Sequence, residues 1–240
     1  MNRTVIVTGG GTGIGRAIAE RFAAAGDRVI ITGRRREVLD RATDELEGHV
    51  EVRDFDASDP GQVEAFAASL EGVDVLVNNA GGNTDFDGAE PGSLAEVADA
   101  WQRNLAANLI SAVLVTTSLG PKLGAGASVI SIGSIAADKG AGAYGAAKAG
   151  IASWNIGLAR ELGPRGVTAN VVSPGFIEAT EFFRDALTDQ RRQSLIDAAL
   201  TGRAGVPDDI AAMVEFLASE GARQITGQTF AVNGGEWPSR

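Results

Sequence analysis

Short, nearly unbroken runs of Val and Ile alternate along the chain with longer stretches whose apolar positions recur every three or four residues. The runs at 5–8, 29–32, 50–54, 73–78, 128–132, 167–172 and 229–232 predict strands, and the stretches at 14–25, 35–47, 60–70, 93–118 and 143–162 predict helices. A strand that is apolar at consecutive positions has both of its faces covered, as in a parallel sheet. The strand–helix–strand order therefore predicts an α/β fold, a doubly wound parallel sheet with helices on both faces. No repeat or Pro/Ser-rich linker interrupts this order, which predicts one domain over residues 1–240. The stretch at about 176–205 departs from the alternation. There Phe182-Phe183 is followed by a charged helical segment, a pattern suited to a substrate lid.

Composition narrows the function classes. Of the 240 residues 44% are apolar and 22% charged, and there is no Cys, as expected of a globular protein from a reducing cytoplasm with no disulfide framework. The first residues lack the apolar core of a signal peptide, and no apolar run is long enough to span a membrane. A net charge of −10 argues against nucleic acid or acidic membranes as partners; the one dense basic cluster is Arg34-Arg35-Arg36. With His49 the sole His, a His-based triad or a Cys/His zinc site has almost no material. The carboxylates show no spacing that argues for a metal, so no metal site is expected.

Two motifs carry chemistry. Thr8-Gly9-Gly10-Gly11-Thr12-Gly13-Ile14-Gly15 stands between the first strand and the first helix, where glycines permit a tight turn and the helix N-terminus offers free N–H groups to a pyrophosphate. Taken alone it is a weak signal, with a purely structural strand-to-helix turn as the alternative. No Lys-Ser/Thr follows it, which disfavours a P-loop. Tyr144 and Lys148 stand four residues apart on a predicted helix, and so on one face of it. A charged Lys there favours the phenolate and lowers the Tyr pKa, whereas an isolated pair of this kind is more often an aromatic packer beside a solvated Lys. Tyr144 is the only Tyr, and the Ala/Gly-rich sequence around it leaves room for a ligand. Arg34 follows the second strand, where dinucleotide folds choose between a ribose hydroxyl and a 2′-phosphate, and Gly33 offers no acidic side chain.

The glycine turn, Asn78-Asn79-Ala80-Gly81 and Tyr144-x3-Lys148 together resemble the short-chain dehydrogenase/reductase family over essentially the whole chain, and most resemble its 3-oxoacyl-carrier-protein reductase branch. The resemblance implies a Rossmann-type fold and hydride transfer between NADP(H) and a small carbonyl or secondary-alcohol substrate. It assigns Gly9, Gly11, Thr12, Gly13, Ile14 and Gly15 to the cofactor, with Asn79, Ala80 and Gly81 in the crevice and Asp56 and Ala57 toward the adenine. Arg34 and Arg35 fall at the 2′-phosphate; Pro174, Gly175 and Ile177 fall beside the nicotinamide, with Thr180 a weaker match. Tyr144 becomes the acid, Lys148 a ribose ligand, and Ser134 the group holding the substrate oxygen, although the family's usual spacing back from Tyr144 lands on Ser131 instead. Asn108, matched better than Asn104, helps hold a water that links Lys148 to solvent. The helices at 95–117 and 143–161 resemble those that pair between subunits, so a homo-oligomer, dimer or tetramer, is expected. Two alternatives remain: an epimerase or dehydratase of the same family type, and a noncatalytic NADP(H)-binding regulatory protein.

Overall fold

In the computed structural model, residues 3–87, 91–183 and 187–238 are described. Their strands are β1 (Thr4–Thr8), β2 (Arg28–Gly33), β3 (His49–Asp54), β4 (Val73–Asn78), β5 (Leu123–Ile132), β6 (Thr168–Pro174) and β7 (Thr229–Val232). They form one sheet in the order β3-β2-β1-β4-β5-β6-β7, with every pair parallel. Helices α1 (Gly13–Ala24), α2 (Arg36–Glu45) and α3 (Pro60–Ala68) occupy the first half. Then come α4 (Leu94–Leu105), α5 (Ser111–Leu119), the short α6 (Ala136–Lys139), α7 (Gly142–Leu162), α8 (Asp189–Ala198) and α9 (Pro207–Leu217).

The two-residue period of each strand divides the core in two. Val5, Val7, Val29, Ile31, Val75 and Val77 face one layer, where Ile18 and Phe22 of α1 meet Ile210 and Val214 of α9. Ile6, Ile30, Leu76 and Val129 face the other, against Val63 and Phe66 of α3, Val115 and Leu119 of α5, and Leu158 of α7. Each such side chain, fully buried, contributes about 1.5–3 kcal/mol.

Three elements differ from the sequence-based expectation. The helix predicted over 93–118 is broken between α4 and α5 by a π-helical turn, Ala106–Ile110, centred on Asn108. Such turns insert one residue into the helical ladder and redirect the backbone groups around it. Helix α9 was not anticipated, although Pro207 in its first turn and the buried spacing Ile210, Val214, Leu217 mark an amphipathic helix. Of the segment at 176–205, α8 is present with no buried residue, and residues 184–186 lie outside the described ones.

Candidate active site

The strand order reverses direction between β1 and β4, and the crevice beyond their carboxyl ends is where ligands bind in such sheets. A hydrogen-bond lattice ties the two strand ends together. The Thr8 hydroxyl accepts from the N–H groups of Asn79 and Ala80, both at 3.0 Å, and the Asn79 amide donates to the carbonyls of Thr8 at 2.9 Å and Gly9 at 3.0 Å. The turn needs glycine for steric reasons. A Cβ at Gly15 would stand 2.2 Å from the Gly9 carbonyl and 2.4 Å from the Asn79 amide nitrogen, and Gly9 itself has φ +66°. Thr12 makes no side-chain cap at the start of α1, and the first turn carries no acidic residue. Its N–H groups are therefore free to meet an anion, with the helix dipole in favour.

Ser134, Tyr144 and Lys148 come together at the carboxyl end of β5. Ser134 follows the strand, receives a hydrogen bond from Ala136 N–H at 3.1 Å, and holds its hydroxyl against the Tyr144 phenol. Ser131, by contrast, is buried within β5, where the Asn78 amide reaches it at 3.4 Å. The geometry thus favours Ser134 over Ser131 as the partner of Tyr144. Lys148 is buried, donates to the Ile132 carbonyl at 2.8 Å, and stands 5.8 Å from the centre of the Tyr144 ring.

The expectation that Lys148 lowers the Tyr144 pKa is not met in this arrangement. Burial pushes Tyr144 up to about 12, offset only in part by the Ser134 hydrogen bond, and burial likewise pushes Lys148 down to about 8. Desolvation disfavours the charged form of each group. The phenol therefore stands as a proton donor at neutral pH.

Asn108 is buried, and its side chain closes on Gly82, accepting from its N–H and donating to its carbonyl, each at 2.9 Å. Asn104 is buried one turn earlier and donates to Asp85 at 2.8 Å. Both asparagines thus fasten the segment after β4 to the α4–α5 helix pair. Beyond β6, Ile177 is buried and bridges to Gly205, Thr180 donates to the Ile177 carbonyl at 3.2 Å, and the Thr180 side chain lies over Gly13. Thr180, three residues beyond Ile177, thus brings the segment after β6 against the glycine turn at Gly13.

Arg34 is exposed and, among the described residues, has no ion pair; its charge reaches Asp56. Burial works against the Asp56 carboxylate, but hydrogen bonds from the Ser58 hydroxyl and N–H, together with Arg34, hold it below its usual range. Arg35, the possible second phosphate contact, is paired with Glu181 at 3.0 Å, with both side chains exposed. Sequence reasoning also missed Thr8, Glu181, Phe86 and Phe176. Thr8 adjoins the glycine turn and Phe176 stands between Gly175 and Ile177, so both were findable, whereas Glu181 and Phe86 reach the site only through tertiary packing.

A family model described as enoyl-(acyl carrier protein) reductase matches residues 9–236. The 3-oxoacyl-[acyl-carrier-protein] reductase of Escherichia coli (strain K12) is 37% identical, covering 97% of this chain and 96% of that protein. A short-chain dehydrogenase/reductase, a glucose/ribitol dehydrogenase from Brucella melitensis, superposes with a TM-score of 0.89 at 34% identity, covering 99% of this chain and 98% of that one. A short chain dehydrogenase from Burkholderia cenocepacia, solved in complex with NADP, superposes with a TM-score of 0.86 at 31% identity, over 98% and 97% of the two chains. These relatives share no one named substrate, so likeness to them does not choose one.

Proposed function

Because this chain belongs to the short-chain dehydrogenase/reductase family and is an oxidoreductase, we propose that it moves a hydride between NADP(H) and a carbonyl or secondary alcohol, with Ser134, Tyr144 and Lys148 as the catalytic group. One observation carries this reading: a buried phenol with the Ser134 hydroxyl against it and a buried Lys148 one helical turn on. The N-terminus of α1, free of carboxylates and of a side-chain cap, fits the pyrophosphate of a dinucleotide, and exposed Arg34 fits a 2′-phosphate. NADP(H), when bound, supplies or accepts the hydride.

Ser134 donates a hydrogen bond to the substrate oxygen. Tyr144 gives its proton to that oxygen as the carbon takes the hydride, so C=O becomes CH–OH; alcohol oxidation runs the same path in reverse. Lys148 supplies the positive charge that holds the phenolate left behind and binds the nicotinamide ribose. The backbone turn at Asn108 anchors a water through which the proton returns. Gly9, Gly11, Thr12, Gly13, Ile14 and Gly15 cradle the phosphates, Asp56 and Ala57 flank the adenine, and Asn79, Ala80 and Gly81, with Pro174, Gly175 and Ile177, line the nicotinamide side. The 176–205 stretch acts as a substrate cover on a single catalytic domain.

The enzyme works in the cytoplasm as a homo-oligomer. On α4 the positions Leu94, Val97 and Trp101 share a face and are 88%, 38% and 45% exposed, and Ile156 of α7 is 47% exposed. An apolar stripe of this size is covered in a stable assembly. Light scattering is expected to give a multiple of the 24.6 kDa chain mass, and a monomer at working concentration would contradict the assembly. For the activity, NADPH oxidation followed across ketones, 3-oxoacyl thioesters, sugars and steroids is expected to find turnover. A protein that binds NADPH and turns over none of them would favour the noncatalytic alternative.

A further inference from the structure

Four of the nine Phe residues, Phe86 from the segment after β4 and Phe176, Phe182 and Phe183 from the segment after β6, form one ring cluster that meets Tyr144 through Phe182. The Phe182 ring lies 5.4 Å from the Tyr144 ring, tilted by 56°. Phe183 meets Phe182 edge-on at 5.0 Å, Phe86 meets Phe182 edge-on at 5.9 Å, and Phe176 meets Phe183 at 5.7 Å. Centroid separations of this size with steep interplanar angles are those of favourable edge-to-face pairs, so the rings present a ready lattice of edges and faces. None belongs to the hydrophobic core: Phe86 is 42% exposed, and Phe176, Phe182 and Phe183 are half-buried. Large aromatic side chains left in contact with solvent around a polar catalytic group mark a ligand pocket rather than a structural core.

Two arginines near this cluster are already matched by carboxylates. Arg192 pairs with Glu178, and Arg35 pairs with Glu181, so the two arginines engaged by the segment before Phe182 face carboxylates of that same segment. Among the described residues, the cluster therefore offers apolar surface and no available cation on its own segment to anchor a carboxylate or phosphate.

Resting on the hydride-transfer reading above, we propose that the substrate is a compact, uncharged carbonyl compound carrying a planar aromatic ring next to its C=O. The substrate's ring packs against the partly exposed rings of Phe86, Phe182 and Phe183 beside the phenol while its oxygen meets Ser134 and Tyr144. An acyl chain delivered on a long phosphorylated carrier arm matches neither the ring lattice nor the paired charges.

The test uses the full chain with NADPH and compares four carbonyl probes: acetophenone, 2-octanone, the ring-bearing keto acid benzoylformate, and a 3-oxoacyl thioester of N-acetylcysteamine. Acetophenone is expected to exceed each of the others by about tenfold in kcat/KM. Phe182→Leu, and separately Phe86→Leu, are expected to bring the acetophenone to 2-octanone ratio toward parity through a raised KM for acetophenone, with NADPH titration confirming that each variant is folded. A thioester or keto acid turned over as well as acetophenone, or a ratio unchanged in both variants, would overturn the substrate class while leaving the hydride-transfer reading standing. NADPH binding without turnover of any probe or of the wider carbonyl set would overturn both.

Discussion

The two halves of the crevice are built on different principles. At the β1–β4 side, backbone and short polar side chains interlock: Thr8 and Asn79 bind both strand ends, and Gly15 lies so close to Gly9 that a single methyl group cannot be accommodated. At the far side, Phe86, Phe176, Phe182 and Phe183 meet through ring contacts, and the segment beneath them is fastened chiefly by the backbone pairing of Phe176 and Glu178 with Gly205. Hydrogen bonds of fixed geometry make the first side intolerant of change. Ring contacts are adjustable, so the second side is free to suit one substrate while the first serves a shared cofactor.

The largest expected effect breaks the rigid side. Gly15→Ala forces its Cβ against the Gly9 carbonyl, a backbone atom that has no cheap way to move. Overpacking of this kind costs about 3 kcal/mol, so dinucleotide affinity should fall by roughly 100-fold, with a lower Tm. Titration and thermal melts check it, and a variant with unchanged affinity would show that the turn is not the binding element. A leucine at Phe182, by comparison, should leave the melting behaviour close to that of the parent.

The next effect is in pH. Lys148 has a pKa of about 8, so carbonyl reduction should decline above pH 8 by about tenfold per unit as the ammonium is lost, while Tyr144, at about 12, stays protonated. The stability consequence has a definite sign. The Lys148 pKa rises to 10.5 on unfolding, so the unfolded chain binds more protons between about 8 and 10.5, and stability should increase with pH across that window. Lys148→Met should abolish this rise. A rate profile flat from pH 7 to 10 would contradict the role given to Lys148.

The smallest effects concern cofactor choice. Arg34→Ala should reduce the preference for NADPH over NADH by about tenfold, the lower part of the range for a charge-assisted hydrogen bond because Arg34 is exposed. Glu181→Gln should raise that preference by about two- to fivefold, since it frees Arg35 from an exposed pair of modest strength. Fluorescence titration of both reduced cofactors measures the two ratios, and equal wild-type affinities would mean that the 2′-phosphate is not read here.

The same contrast explains what was legible in the sequence. Strand β4 matches its predicted limits because apolar residues buried on both faces leave a local signature, and strand β7 matches as well although it lies at the sheet edge with no fully buried residue. The glycine turn and the Tyr144–Lys148 pair were legible for a similar reason: their constraints act within a few residues. The π turn at Asn108 was not, because one inserted residue leaves the helical periodicity nearly intact. Nor was the raised pKa of Tyr144, which depends on how completely the fold excludes water from the phenol. Phe86 read as an ordinary apolar residue until the packing brought it to Phe183, and Glu181 read as surface charge until Arg35 met it.

The central claim, that a buried and protonated Tyr144 delivers the proton of a carbonyl reduction, is tested most directly by Tyr144→Phe. NADPH affinity and turnover are measured on the same preparation across pH. Turnover should fall by about 10²–10⁴-fold at every pH while NADPH still binds, because the phenol gives the proton and the glycine turn holds the dinucleotide. A variant that keeps full turnover across the pH range would contradict the account.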